Sequence, residues 1–309
     1  MGEITQVMRS MKEMRCGRLI DNHMHLEQYS YTLSALKEFV DQGRIRGIHE
    51  FGFSDHSHHF LEFKEIYFKN VIMDDTPVGR YQKQWMQEEK KSFCYRLEEY
   101  VDLIEKGKRA GYPLRLGIEV CYFPGEEEAL RAILNQYPFD YVIGSVHWLE
   151  GWGFDTKKEF WAGRNADKVF EQYGEVLQKA IESELFDVIG HPYSCKAFGA
   201  WPERLNLTPA YVSIATSAKK HKVALEMNSG LAYRYPAATI CPPIGLLQIA
   251  AAHQCDFSFG SDAHRSADCG RGMGYLQQLA KEVGISIQPS YELRKRTEVA
   301  LDKRVETLI

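Results

Sequence analysis

Apolar positions along the chain follow two alternating patterns. Seven short runs are rich in β-branched and aromatic residues, and each carries a polar residue in its second half; they lie at 18–26, 47–56, 114–123, 139–149, 186–193, 222–230 and 256–264. Segments with helical periodicity lie between them, at 31–42, 88–110, 126–136, 167–183, 208–221 and 243–253. This alternation predicts an α/β protein with a parallel sheet and outer helices, and seven units favour a barrel over a doubly wound sheet.

The connection between the second and third runs is much longer than a typical loop. Residues 57–112 contain the string VIMDDTPVGRYQKQW, followed by the charged helical segment 88–110. We interpret 57–112 as an insertion over the barrel mouth that can cover the active site as a substrate lid. No repeat, low-complexity segment or linker divides the chain, so residues 1–309 are predicted to form a single barrel domain.

Composition narrows the class of protein. A length of 309 residues is ordinary for a single barrel, and the net charge of −4 comes without a dense run of Lys and Arg, which argues against an extended nucleic-acid partner. The 7 cysteines are scattered without a CxxC pair, as is typical of reduced thiols in a cytosolic protein. Neither a membrane span nor a secretory signal is visible in the sequence. We therefore expect a cytoplasmic protein.

Metal-binding residue types collect at the ends of the seven runs. His23 and His25 are two apart in a strand, so their side chains share a face. The other candidates are Asp55, His56, Glu119, His147, His191, Asp262 and His264. Barrel active sites lie at the carboxyl ends of the strands, so these side chains are expected to converge. Imidazole and carboxylate donors suit Zn, Fe or Mn, and so many donors imply at least two ions sharing a carboxylate.

The ordered motifs resemble a known family. They are His23-x-His25, Ser54-Asp55-His56, Glu119, Gly-Ser-Val-His147, Gly-His191-Pro and Ser-Asp262-Ala-His264, and together with their spacing they are similar to the polymerase-and-histidinol-phosphatase (PHP) superfamily. The resemblance covers residues 20 to about 270. The strings GSVHWLEGWGFD (144–155) and EMNSGLAYRYP (226–236) are similar to the histidinol-phosphate phosphatase branch. The resemblance implies a distorted (β/α)7 barrel with a trinuclear metal centre.

The resemblance also implies which residues hold each metal. The first metal would be bound by His23, His25, Glu119 and Asp262, the second by Glu119, His147 and His191, and the third by His56 and His264. Many phosphatases of the family complete the third site with another histidine shortly after the HxH pair, which this chain lacks. Glu27, two residues past His25, is expected to replace it, which would make the third site either weaker or selective for a harder ion such as Mn. We expect two to three divalent ions in total.

The expected reaction is hydrolysis of L-histidinol phosphate to L-histidinol and phosphate, with a metal-bridging hydroxide as nucleophile. Glu119 would be catalytic as the bridging carboxylate. The leaving alkoxide would be stabilised by the third metal, or protonated through Asp262 or His264.

Several other residues are expected to support this reaction. Arg234 matches the family's arginine and is the first choice for binding phosphate, with Arg164 and Arg265 as second choices. Asp21 and Asp55 are expected behind the ligand histidines as hydrogen-bond acceptors. His58 and His59, which follow the second run, are interpreted either as solvated loop residues or as substrate contacts.

Two other functions stay open at this stage. One is a phosphoesterase of the same superfamily that acts on another small phosphate ester or on short oligonucleotides. The other is a non-catalytic metal-binding regulatory protein, against which the complete ligand set argues. In the leading interpretation the partner is a small phosphorylated metabolite, with no extended nucleic acid and no membrane, while the oligomeric state is left open.

Overall fold

The computed structural model describes residues 14–15, 19–87, 92–301 and 306–307. Among them, seven strands form one parallel sheet whose spatial order follows the chain. These strands are β1 (Leu19–Met24), β2 (Ile48–Phe53), β3 (Leu114–Cys121), β4 (Tyr141–Ser145), β5 (Val188–Ile189), β6 (Ala224–Asn228) and β7 (Phe257–Gly260). All seven predicted strands are confirmed, each shorter than its apolar run.

Helices connect the strands. They are α1 (Leu33–Ile45), α2 (Lys64–Asn70), α3 (Pro77–Met86), α4 (Leu97–Arg109), α5 (Glu127–Leu134), α6 (Ala166–Glu182), α7 (Thr208–His221), α8 (Gly230–Arg234), α9 (Ile244–Ala252) and α10 (Met273–Glu282). The predicted helix 88–110 is wrong over 92–96, while 88–91 lie outside the described residues. Phe93 has a φ of +49°, which a right-handed helix cannot contain, so α4 begins only at Leu97.

The sheet curls until its two edge strands meet. The backbone N–H of Asp262 donates to the carbonyl of His23 at 2.8 Å, and that of His25 donates to the carbonyl of Ala263 at 2.9 Å. Lower down, the Asn22 side chain donates to Ser258 Oγ at 3.0 Å. Because these backbone bonds involve residues beyond the end of β7, the barrel closes at the carboxyl ends of its strands, where the candidate ligands lie.

A hairpin near the C-terminus covers the amino ends of the strands. It consists of β8 (Ile287–Glu292) and β9 (Lys295–Ala300), and it places Tyr291 in a stacked contact with Tyr141, with ring centroids 5.9 Å apart. The Tyr141 hydroxyl donates to the Asn22 carbonyl at 2.6 Å. A side chain at Gly117 would overlap the Tyr141 ring, so glycine is required where the tyrosine crosses the barrel. The interior below the candidate site is thus filled.

The described parts of the segment 57–112, which are 57–87 and 92–112, fold against the strand ends and contribute α2, α3 and α4. One buried side chain joins it to the hairpin formed by Trp148–Leu149 and Trp152–Gly153: Gln82 donates to the carbonyls of Ile72 at 2.8 Å and Gly151 at 2.9 Å, and accepts from the Gly153 N–H at 2.8 Å. Each of these three hydrogen bonds uses a backbone group, so α3 and the hairpin are held in one arrangement.

Two sequence expectations concern features outside the barrel. None of the helices in the described part of the chain is long and apolar enough to cross a membrane. The cysteines that the structure describes, which are Cys94, Cys121, Cys195, Cys241, Cys255 and Cys269, are free thiols. Cys16, and the segment 1–13 on which the secretory-signal expectation largely depends, lie outside the described residues.

Candidate metal centre and substrate cavity

Glu119 on β3 stands at the centre of the predicted ligands. Its Oε2 lies 3.2 Å from His23 Nε2 and 3.0 Å from His56 Nε2. Its Oε1 lies 2.9 Å from His191 Nε2 and 3.6 Å from His147 Nε2. The four imidazoles come from the ends of β1, β2, β5 and β4, so the barrel brings residues far apart in sequence around one carboxylate.

Asp262, just past β7, is the second carboxylate of the cluster. Its Oδ1 lies 3.2 Å from His25 Nε2 and 3.3 Å from His264 Nε2. The residue has a φ of +54°, a left-handed conformation that aspartate tolerates better than most residues. On the other side of the carboxylate, Arg234 Nη2 donates to Oδ2. The structure therefore brings together all the predicted histidine ligands and both of the carboxylates to which they converge.

The chemistry of these donors fits divalent metal ions. Sets of three have their ligand atoms within 4.8 Å of one another, namely His23–His25–Asp262, His23–Glu119–His191, His56–Glu119–His147, His25–His56–His264 and Glu27–His56–His58. Four buried atoms that point into the cluster have no hydrogen-bond partner: Nε2 of His23, His25 and His264, and Oε2 of Glu119. Leaving such atoms unsatisfied is costly, and bound cations would satisfy them together.

Electrostatics inside the cluster favours ionised carboxylates. Burial alone would raise the pKa of Glu119, but the imidazoles of His56, His23 and His147 hold it well below its usual range. Burial likewise opposes ionisation of Asp262, whereas the Arg234 guanidinium and His23 hold the pKa of that carboxyl well below its usual range. Both acids are therefore available as anionic ligands.

Glu27 lies in a different place from the one expected of a ligand in the third site. Its Oε1 contacts Nδ1 of His56 and accepts from the His56 backbone N–H at 2.9 Å, while His56 Nε2 faces Glu119. The carboxylate is therefore on the opposite side of the ring from Glu119. From there it can orient His56 through Nδ1, or join His56 and His58 in a further set of possible metal ligands.

Asp21 and Asp55 accept hydrogen bonds from backbone N–H groups and hydroxyls rather than from ligand imidazoles. Asp21 accepts from the N–H groups of Ser261 at 2.9 Å and Gly270 at 3.1 Å, which anchors the segment around Asp262. Asp55 accepts from the Leu26 N–H at 2.6 Å and from the Tyr31 hydroxyl at 2.6 Å. We expected both carboxylates to accept hydrogen bonds from the ligand imidazoles. In the structure they instead fix the loops that carry the candidate ligands.

Glu226, which the sequence analysis did not single out, supports two ligand histidines. On β6, it contacts His23 Nδ1 at 2.7 Å through Oε1 and accepts from the His191 N–H at 2.6 Å through Oε2. Asn228 Nδ2 also donates to Oε2, at 3.0 Å. A carboxylate can only accept at these positions, so it keeps the proton on His23 Nδ1 and leaves Nε2 free to bind metal. The sequence signal that could have identified Glu226 is the presence of an acidic residue inside an otherwise apolar strand.

Cys121 is a second supporting residue that the sequence analysis did not identify. Its Sγ lies 3.1 Å from His147 Nδ1, the ring nitrogen that faces away from the cluster. Burial raises the pKa of the Cys121 thiol, which is therefore neutral. Cys121 follows Glu119 by two residues on β3, and this spacing already places both side chains on one face.

Two adjacent cavities with shared lining residues lie next to the candidate ligands. The smaller, about 90 Å³, is lined by ligand residues together with Arg234 and Ser194, and it is well above the roughly 10–15 Å³ that one water needs. The larger, about 550 Å³, is lined by aromatic residues that include Tyr81 and Trp85 of α3. His56, His147, Asp155, Tyr235 and His264 line both cavities.

The other predicted substrate contacts have different outcomes. His58 lines the larger cavity, with its ring centroid 4.7 Å from that of Trp85, whereas His59 is buried, so a solvated loop is wrong for His59. Arg164 stacks over Trp152 at 3.6 Å, and neither Arg164 nor Arg265 lines either of these two cavities. Among the three predicted arginines, only Arg234 reaches the candidate site.

Comparisons with known proteins agree with this geometry. A sequence model of the PHP domain matches residues 21–230. A probable histidinol-phosphatase of Deinococcus radiodurans is 30% identical over 274 residues, which cover 86% of this chain and 94% of the relative. The crystal structure of histidinol phosphate phosphatase from Lactococcus lactis, complexed with Zn, L-histidinol and phosphate, has a TM-score of 0.67 at 16% identity and covers 90% of this chain and 98% of its own.

A second solved structure has the same fold. It is a candidate histidinol phosphatase of Listeria monocytogenes, with a TM-score of 0.66 at 22% identity over 84% of this chain and 99% of its own. At these identities the two structures establish the barrel, which confirms the (β/α)7 fold expected from the sequence.

Proposed function

The chain belongs to the PHP domain family, and we propose that it is a metal-dependent phosphatase whose substrate is L-histidinol phosphate. The observation that carries this proposal is the junction of a histidine–carboxylate cluster, a small cavity lined by Arg234, and a larger aromatic cavity. The first would bind metals, the second a phosphate group, and the third the alcohol part of a small ester.

The cluster would hold two to three divalent ions. One set of candidate ligands consists of His23, His25 and Asp262. A second consists of His147 and His191, which face Oε1 of Glu119. A third consists of His56, His264 and His25. Bound there, such ions supply an activated water and neutralise the charge of a phosphate group. Glu119 would link two of them, because its two oxygens face different histidines.

The remaining residues bind and orient the substrate. Arg234 lines the smaller cavity and is anchored by Asp262, so its guanidinium is held where it can donate to phosphate oxygens. The ester oxygen would lie where the two cavities meet, a position lined by His264. The aromatic residues Tyr81, Trp85 and Trp148 would exclude water from the alcohol part. In this arrangement α3 contributes a wall of the larger cavity, and Gln82 holds that helix in place.

The test compares monoesters with diesters under controlled metal content. The protein is stripped with a chelator, reloaded with Zn, Mn or Fe, and assayed on p-nitrophenyl phosphate, bis-p-nitrophenyl phosphate and a panel of metabolite phosphates that includes L-histidinol phosphate. We expect metal-dependent phosphate release from monoesters, with the highest kcat/KM for L-histidinol phosphate. Preference for the diester would support the oligonucleotide alternative, and metal binding without any turnover would support a regulatory protein.

A further inference from the structure

The larger cavity contains two acidic residues in a wall that is otherwise mostly aromatic and histidine. They are Glu27 and Asp155. Glu27 is occupied by its contacts with His56. No hydrogen bond or ion pair joins the Asp155 carboxylate to another side chain within the described part of the chain. Asp155 thus lines a cavity with a carboxylate whose hydrogen-bond partner is its own backbone N–H and which no other side chain of the described residues contacts as a partner.

We propose that Asp155 binds the ammonium group of the substrate and so selects phosphate esters of amino alcohols. The inference rests on the proposed function and deepens it. In L-histidinol phosphate the ammonium is carried by the carbon next to the ester CH2, so it lies close to the ester oxygen. Asp155 lines both cavities, which places its carboxylate near the junction where that oxygen would lie.

The charges around Asp155 leave it available for a cation from the substrate. His191 and His56 are the nearby groups whose positive charge would favour its ionised form, but both face Glu119 as candidate metal ligands and are neutral when they bind metal. Arg234, which also lines the smaller cavity, is paired with Asp262. Lys157, two residues further on, lies over the Tyr81 ring, 4.2 Å from its centroid.

The burial of the Asp155 carboxylate also indicates that it can accept a cation from the substrate. Burial raises the pKa of Asp155 to about 6, because the loss of hydration is only partly offset by His191 and by the backbone N–H of Asp155 itself, and no cationic side chain of the described residues pairs with the carboxylate. A substrate ammonium would supply that partner, and a charge-assisted hydrogen bond is among the stronger polar contacts. The site is also preorganised, because Asp155 lies two residues after the hairpin that Gln82 joins to α3.

The test uses two alkyl phosphates that differ only in the ammonium group. L-histidinol phosphate is compared with 3-(imidazol-4-yl)propyl phosphate, which keeps the imidazole and the alkoxide leaving group. In Asp155→Asn, kcat/KM for L-histidinol phosphate should fall about 10- to 100-fold, the loss expected for one hydrogen bond between charged groups. The value for the analogue should stay within about threefold. Glu159→Gln, which removes an exposed charge from the same loop, should change neither value.

An equal loss on both esters would overturn the proposal and indicate a role for Asp155 in protonating the leaving group. A loss on neither would overturn it as well. If Asp155→Asn does not fold or does not bind metal, inhibition of the wild-type protein decides: L-histidinol should inhibit hydrolysis of p-nitrophenyl phosphate at least tenfold more strongly than its deamino analogue. Equal inhibition would contradict the role of Asp155. Absence of turnover on both alkyl phosphates, with selective inhibition retained, would instead reject the proposed function alone.

Discussion

Replacement of Glu226 by glutamine should weaken metal binding without removing any metal ligand. Glu226 accepts three hydrogen bonds, from His23 Nδ1, the His191 N–H and Asn228 Nδ2. Glutamine has nearly the same shape but only one accepting oxygen. If that oxygen faces His23, the amide NH2 meets two other donors, the His191 N–H and Asn228 Nδ2. If the oxygen faces His191 instead, the NH2 meets His23 Nδ1 and favours the tautomer whose Nε2 carries the proton. Either orientation disturbs a ligand.

The size of this effect follows from the position of the residue behind the ligands. Loss of such a partner typically costs 10- to 100-fold in metal affinity or activity, or about 1.4–2.7 kcal/mol. Glu226 supports histidines from two different strands, so we expect the upper part of this range. Because the ligands themselves are retained, kcat should largely recover at saturating metal.

The assay is phosphatase activity measured against buffered free metal, with affinity determined independently by competition with a chromophoric chelator. Half-activation of Glu226→Gln should require 10- to 100-fold more free metal than that of the wild type. Glu128→Gln, which removes an exposed charge on α5, serves as the control, and thermal unfolding verifies that both variants are folded. Half-activation within about threefold of the wild type would refute the argument that Glu226 fixes the His23 tautomer.

Three further changes test other parts of the site. Glu119→Gln should lose more activity than any other single ligand change, because the two oxygens of this carboxylate face different histidines of the cluster. Activity within about tenfold of wild type, which corresponds to about 1.4 kcal/mol of activation free energy, would exclude a bridging role. Arg234→Ala should lower kcat/KM for phosphomonoesters by about 2 kcal/mol, roughly 30-fold, when assayed at saturating metal; unchanged kinetics would mean that Arg234 does not bind phosphate. Gly260→Ala should impair metal binding at least as much as Glu226→Gln, because the added Cβ would overlap the Glu226 carboxylate and lie 2.6 Å from His23 Cβ; normal metal titration would show that β6 and β7 can separate there.

The convergence of the candidate metal ligands was predictable because it follows simple geometric rules. Strand ends of a parallel barrel converge, and a spacing of two residues places His23 and His25 on one face. These two rules predicted that the candidates meet, whereas the assignment of each candidate to a particular metal came from the family resemblance. Residues that act through long-range contacts were not predictable in this way. Glu226 and His23 are separated by 203 positions in the chain, and nothing in either strand alone shows that they meet. Asp155 belongs to a recognised motif, but its position between two cavities depends on how the hairpin packs against α3.

Local backbone conformation explains most of the other differences. The apolar spacing in 88–110 is helical, yet the left-handed conformation of Phe93 prevents a helix from continuing through it. Asp21 and Asp55 have the residue type and location expected behind ligand histidines, but nearby backbone N–H groups meet their oxygens. The β8–β9 hairpin lies beyond the part of the chain that resembles the family, so only the structure shows that it covers the amino ends of the strands.

The central claim is that this cluster, loaded with divalent metal, hydrolyses L-histidinol phosphate. The most direct test is kcat/KM for that ester, measured on one preparation before chelation, after chelation and after reloading with metal. The account predicts efficient release of phosphate that is lost on chelation and restored by metal. Full activity in the stripped protein, or no phosphate release from L-histidinol phosphate at any metal loading, would contradict it.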